Sequence, residues 1–199
     1  MKYILILFFV FLFSFNVISC GNKDSGSSST STDSDGTTTD SCLSTSISSR
    51  QPARSSNDYA YGVATDSSGN VYVAGGTNGG LDGNTNAGNT DLFVVKYNSS
   101  GTKQWTRQLG SSSRDSANGV ATDSSGNVYV TGMTNGGLDG CKNAGIEDLF
   151  VVKYNSSGTK QWTNQLGSSS RDSADDVATD SSGNIYVTGT TYSELDGNT

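Results

Sequence analysis

From Asp58 onward the apolar residues fall into short runs separated by glycine, serine, asparagine and aspartate. Four runs come first: Tyr61–Thr65 (YGVAT), Val71–Ala74 (VYVA), Leu92–Tyr97 (LFVVKY) and Gln104–Leu109 (QWTRQL). Valine, tyrosine, phenylalanine, threonine and tryptophan dominate them, and the flanks are turn formers, so each run predicts a β-strand. Two links are tight, Asp66-Ser67-Ser68-Gly69 and Asn98-Ser99-Ser100-Gly101. In both, the Asp or Asn side chain can bond its own backbone two residues on, and the glycine can take positive φ. A type I turn closed by a glycine bulge is the expected geometry. The links Thr77–Asp91 and Gly110–Ala117 are longer.

Alternation within the runs shows what each strand needs. In LFVVKY, Phe93, Val95 and Tyr97 point one way and Leu92 and Val94 the other. Both faces are apolar, so this strand should be covered on both sides. In QWTRQL, Trp105, Leu109 and the stem of Arg107 share a face, opposite Gln104, Thr106 and Gln108. That pattern predicts a half-exposed outer strand.

The four runs belong to a 57-residue unit. Asp58–Arg114 is followed by Asp115–Arg171 with nine substitutions, and a third copy opens at Asp172 and reaches Thr199 after 28 residues. A period of this size means stacked units. A four-stranded sheet apolar on both faces needs a neighbour on each side, and identical units supply it. Sheets around an axis and sheets in a linear pile both satisfy the pattern.

The first 57 residues read differently. Lys2 precedes an apolar run of 15 residues, Ile4–Ile18. A membrane-spanning helix needs about 20, so a signal sequence fits better. Val17-Ile18-Ser19-Cys20 resembles the lipobox of bacterial lipoproteins. That resemblance implies cleavage between Ser19 and Cys20, and a diacylglycerol on the Cys20 sulfur. With several acyl chains, at about 0.8 kcal/mol per buried methylene, the anchor would hold the chain on a membrane. Gly21–Thr39 is Ser/Thr/Gly/Asp-rich with no apolar period, which predicts a disordered tether. The organisation expected is therefore signal peptide 1–19, tether 20–57, repeat units 58–114 and 115–171, and a partial unit 172–199. Aligning Asp58 with Asp115 sets Arg50-Gln51 over Arg107-Gln108, so 47–57 is a candidate degenerate strand.

Charge and composition narrow the function. The formal net charge is −7; losing Lys2 with the signal leaves 11 basic and 19 acidic residues. Nucleic-acid affinity rests on Lys and Arg neutralising phosphates, so nucleic acid is not an expected partner. There is no histidine, which removes the commonest general base and transition-metal ligand.

The segments VATDSSGNVYVAG, DLFVVKYNSSGTKQW and QLGSSSRD, in that order, closely resemble the SBBP (seven-bladed β-propeller) repeat of bacterial envelope proteins. The resemblance covers Asp58–Thr199. It implies an all-β fold, an incomplete β-propeller of four-stranded antiparallel blades. It brings no defined catalytic residues. VATDSSGNVYV also resembles NHL repeats and SSGTKQW the tryptophan motif of quinoprotein blades, both propellers. Two and a half units do not make seven blades. A truncated gene product, several chains completing one ring, and sheets piled without closure all remain open. Unpaired edges at both ends favour self-association.

Candidate chemistry is sparse. Leu81–Gly88 has oxygen side chains at alternate positions, as a calcium loop does, but Ala87 and Phe93 stand where an EF-hand needs Gly and Glu. Asx turns that shape the loop are the stronger expectation. Cys42 and Cys141 could form a disulfide in an oxidising compartment. Arg114 and Arg171, beside Asp115 and Asp172, suggest surface ion pairs across neighbouring units, worth little. Trp105 and Trp162 read as blade core. No serine lies in a G-x-S-x-G elbow. The expected function is a membrane-anchored lipoprotein, non-enzymatic and without cofactor or metal. It would bind or scaffold an unknown protein or glycan at the outer membrane or cell surface. A periplasmic propeller enzyme and a fragment of a longer repeat protein are the alternatives.

Overall fold

The computed structural model describes Ser56–Leu195. The lipobox with Ser19 and Cys20, the tether, Cys42 and most of the candidate strand at 47–57 lie outside the described residues. Ser56 and Asn57, which end that candidate, are not in a strand.

The repeat unit folds as four antiparallel strands in chain order. The first sheet holds β1 (Asp58–Thr65), β2 (Val71–Thr77), β3 (Asp91–Tyr97) and β4 (Lys103–Leu109). The second holds β5 (Asp115–Thr122), β6 (Val128–Thr134), β7 (Asp148–Tyr154) and β8 (Lys160–Leu166). The third copy contributes β9 (Asp172–Thr179) and β10 (Ile185–Thr191) as a two-stranded sheet. A single 3-10 turn, Leu138–Gly140, is the one helical piece among the described residues. These sheets are referred to below as blades 1 to 3.

The strands are longer than the apolar runs predict. β1 begins at Asp58, and β2 continues through Gly75 and Gly76 to Thr77. The apolar run VYVA stops at Ala74, yet Gly75 and Gly76 remain in the ladder, with Gly75 opposite Phe93. The reason is the neighbouring strand. A bulge between Ala60 and Gly62 carries the β1 backbone across β2. A Cβ on Gly75 would sit 1.8 Å from the Tyr59 carbonyl oxygen. Only glycine permits that approach, and the arrangement recurs at Gly132 and Gly189.

Successive blades lie flank to flank, and the first strands come closest. β5 lies against β1, β2 and β3, and β9 against β5, β6 and β7. The Thr122 hydroxyl donates to the Thr65 carbonyl at 3.0 Å, and Thr179 repeats this to Thr122 at 2.8 Å. A Cβ on Gly119 would be 2.9 Å from the Asp176 Cα. Leu92, Phe93, Val94 and Val95 are each at most 5% exposed, so LFVVKY is covered on both sides, as its alternation requires. Leu92 and Val94 of blade 1 join Val128, Val130, Phe150 and Val152 of blade 2 in one core. Tyr129, Val151, Ala174, Val177 and Val187 form the next core.

Candidate functional site

In an antiparallel meander the tight turns fall on one rim and the long links on the other. The tight-turn rim is built from Asx chemistry. Gly69 takes φ +75°, and Asp66 accepts from the backbone N–H groups of Ser68 (2.9 Å) and Asn70 (3.0 Å). Its second oxygen accepts from the Asn70 side chain and the Tyr72 hydroxyl. Partial burial opposes ionisation of Asp66, but these hydrogen bonds outweigh it and hold the carboxyl below the usual carboxylate range. Asp123 and Asp180 repeat the turn. All of this chemistry is spent on closing hairpins.

The long-loop rim carried the calcium-like pattern. The Asp82 carboxylate pairs with Lys103 and accepts from the Thr106 hydroxyl. Burial is offset by those two partners, and the carboxyl is held below its ordinary value. Asp139 repeats this with Lys160 and Thr163. Asn84 donates to the Leu81 carbonyl at 2.7 Å, and Asn86 accepts from the Gly88 N–H at 2.8 Å. The oxygen-bearing side chains thus shape the loop. The loop also closes over the outer strand: Gln108 accepts from the Leu81 N–H and donates to Asp91. In blade 2 it drives Leu138, fully buried, into the core shared with blade 1. The loop therefore fills space between blades toward their outer strands.

Three features escaped sequence reasoning. Leu138 looked like a loop residue. Gln108 and Gln165 were expected to face solvent on the outer strand, whereas they tie down the long loop. Asp91 and Asp148 are 1% exposed, each with one carboxylate oxygen bonded and Oδ1 without a partner. The signal available was their recurrence at identical positions in both units.

The junction aspartates require a correction. Asp115 and Asp172 are fully buried, not members of surface pairs with Arg114 and Arg171. Asp115 accepts from the Thr134 hydroxyl and from the N–H and hydroxyl of Ser111. Asp172 does the same with Thr191 and Ser168. Among the described residues the ion pairs are Lys103–Asp82 and Lys160–Asp139. Cys141 is a free, half-buried thiol.

The seam between blades 1 and 2 has its own polar contacts. Three side chains of blade 1 reach the carbonyls of the β7–β8 turn in blade 2. Lys96 donates to Ser156 at 3.2 Å, the Trp105 indole N–H to Ser156 at 3.4 Å, and Arg107 Nε to Gly158 at 2.7 Å. Gly158 is at φ +80°, and a Cβ there would lie 2.9 Å from the Trp105 ring. Trp105 also packs on Tyr72, centroids 6.0 Å apart, and lies half-buried against the core rather than within it. Beside this latch is a cavity of about 410 Å³ lined by Arg107, Gln108, Leu109, Tyr154, Gly158 and Lys160. Burial, and secondarily the Asp139 carboxylate, pushes the Tyr154 phenol up, with Arg107 opposing.

Blade 1 turns its other face outward. Tyr59, Tyr61 and Val63 on β1 are 48, 55 and 71% exposed, and the two tyrosine rings stack at 6.2 Å. An exposed aromatic stripe of this kind is what a binding surface requires.

Four-stranded meanders stacked through their first strands, with spacer loops between them, define a β-propeller-type repeat protein. The beta-propeller repeat family (SBBP) matches at residues 49–82, 104–139 and 161–196, more than half of the chain. The chain belongs to that family. Its repeat is phased differently from the structural blade: residues 104–139 take in β4, β5 and β6, and 161–196 take in β8, β9 and β10, so these two family units each bridge a seam. Regulatory protein FlaEY of Caulobacter vibrioides is 32% identical over 147 residues, 67% of this chain and 15% of that protein. An uncharacterized WD repeat-containing protein, L264 of Acanthamoeba polyphaga mimivirus, is 31% identical over 130 residues, 55% of this chain and 9% of that protein. The chain thus spans less than a sixth of the length of either relative.

Proposed function

We propose that this chain is a lipid-anchored β-propeller-repeat protein of the bacterial envelope that binds or scaffolds a protein or glycan and catalyses no reaction. The observation that carries the binding reading is the exposed Tyr59–Tyr61–Val63 stripe; the counterparts of Val63, Val120 and Val177, are buried. The polar side chains of both rims support it, since turn closure, loop anchoring and seam contacts occupy them. Kinship with a regulatory protein is in keeping with recognition. The anchor rests on Val17-Ile18-Ser19-Cys20 and the apolar run before it. The outer membrane or the cell surface is the proposed location, and the open edges of the blades are a proposed route to self-association. Metabolic labelling with palmitate in a bacterial host tests the anchor. The wild-type chain should take up label and fractionate with membranes, and Cys20→Ser should do neither. Label retained by Cys20→Ser, or absent from the wild type, would overturn the anchor.

A further inference from the structure

We propose that the cavity of about 410 Å³ in the seam between blades 1 and 2 is a binding site for a compact monocarboxylate with an apolar body. The inference goes beyond the binding reading above and rests on neither the Tyr59–Tyr61–Val63 stripe nor the lipid anchor. The first argument is an idle phenol. Tyr154 ends β7, lines the cavity and is 2% exposed. The hydroxyls of Tyr72, Tyr129 and Tyr186 each donate to the aspartate of a hairpin turn. The Tyr154 hydroxyl has no hydrogen-bond partner among the described residues. It is not sealed in either, because the side-chain atoms buried there without a partner are Oδ1 of Asp91 and of Asp148. The access it keeps is through the cavity it lines. A phenol held in this way costs free energy until something in the cavity accepts its hydrogen bond. Burial pushes its pKa up, so it remains a donor.

The second argument is a fixed cation whose charge is unmatched. Arg107 of blade 1 lines the same cavity and is half-buried. Its Nε donates to the Gly158 carbonyl at 2.7 Å, Nη1 to Thr106 at 2.8 Å and Nη2 to Ser157 at 3.4 Å. The guanidinium also lies over the Trp105 ring at 5.4 Å. Carbonyls and a ring orient the group but do not neutralise it. Two of the five guanidinium N–H groups stay available, one on each Nη, which complements the two oxygens of a carboxylate. Lys160 lines the cavity too, but Asp139 pairs with it. No acidic residue is in the lining, so the site carries one surplus positive charge. That charge suits a monoanion and not a dianion. Leu109, Gly158 and the Tyr154 ring supply apolar wall for the body of the ligand. Blade 2 has Asn164 where blade 1 has Arg107, so the next seam lacks the cation.

Titration of para-fluorobenzoate with the full-length protein in detergent, read by fluorine NMR line width against detergent alone, tests this. Saturable one-to-one binding is expected. Unlabelled benzoate should compete, whereas uncharged benzamide and inorganic phosphate should each compete at least about tenfold less well. Tyr154→Phe removes the hydroxyl and no bond within the protein. It should weaken binding about tenfold, as loss of a hydrogen bond to a charged group does, and leave the thermal midpoint unchanged. Arg107→Asn, which installs the residue that blade 2 holds at this position, should weaken binding roughly thirtyfold or more. No saturable binding, or an affinity indifferent to Tyr154→Phe or to Arg107→Asn, would overturn the proposal. Competition by benzamide or phosphate equal to that of benzoate would overturn it too, since the surplus charge would then select nothing. The palmitate experiment does not touch this seam, so failure of one leaves the other readable.

Discussion

Val63 and Val120 hold the same position in successive units of nearly the same sequence. Val63 is 71% exposed and Val120 is 6% exposed. Val177, one unit further on, is 5% exposed. Side-chain chemistry is constant across the three, so exposure is set by whether a blade stands in front. Each face is half of a core that only a neighbour completes. The first unit also differs where the contrast would be felt: Tyr59 and Tyr61 replace Ser116 and Asn118. Ser116 is buried, and the Asn118 side chain donates to the Ala174 carbonyl across the seam. The second and third copies carry small polar groups at these places, Ser116 and Asn118 and then Ser173 and Asp175, and the first carries aromatics.

The contrast can be broken most forcefully by charge. Val120→Asp should cost about 3 kcal/mol or more, because an unpaired carboxylate would enter the seam. Val63→Asp should stay within about 0.5 kcal/mol, as surface changes do. Urea midpoints of the two variants measure this, and equal losses would show that the faces are not neighbour-made. Cavity formation gives a smaller effect. Leu138→Ala should destabilise by about 2–4 kcal/mol, and Leu81→Ala, at the half-buried equivalent position in blade 1, by roughly 1 kcal/mol. Thermal unfolding monitored by tryptophan fluorescence reads both.

Acid supplies the smallest effect and sharpens the comparison from the other side. The Asp66 and Asp123 carboxyls lie below the ordinary value of 3.8 in the folded chain. A depressed folded value stabilises above the unfolded value, and that stability is lost as pH falls through the folded one. The urea midpoint should therefore show no slope from these groups at pH 5–7 and decline from near pH 4 downward. Asp66→Asn and Asp123→Asn should each reduce the acid slope to a similar degree. Turn closure is local and therefore the same in both blades, whereas face burial is not.

Local chemistry was correspondingly the legible part. Apolar alternation located β1 to β4, their order and the two-sided burial of LFVVKY, and Asp66 and Asn98 marked their turns. What the sequence hid depends on distant neighbours. Gly75 lies beyond the apolar run VYVA, and its place in the strand is explained only by the bulged backbone of β1 beside it. Leu138 sits in a loop rich in polar residues, so no periodicity marks it as core. Asp115 beside Arg114 suggests an ion pair, yet its oxygens go to a serine and a threonine brought in by the fold. The exposed stripe could have been found by comparing units: two of the nine substitutions put Tyr59 and Tyr61 on the first strand.

The threonine that stitches one unit to the next works at a constant offset. Thr122 reaches Thr65, and Thr179 reaches Thr122, with the same hydroxyl and the same carbonyl. A joint of that kind keeps no record of which copy it connects. Excision of Asp115–Arg171 would set Thr179 against Thr65 and restore a seam of the same bonds. Recombination between such near-identical stretches of DNA can therefore lengthen or shorten the array a whole unit at a time, and each product inherits its connections ready-made.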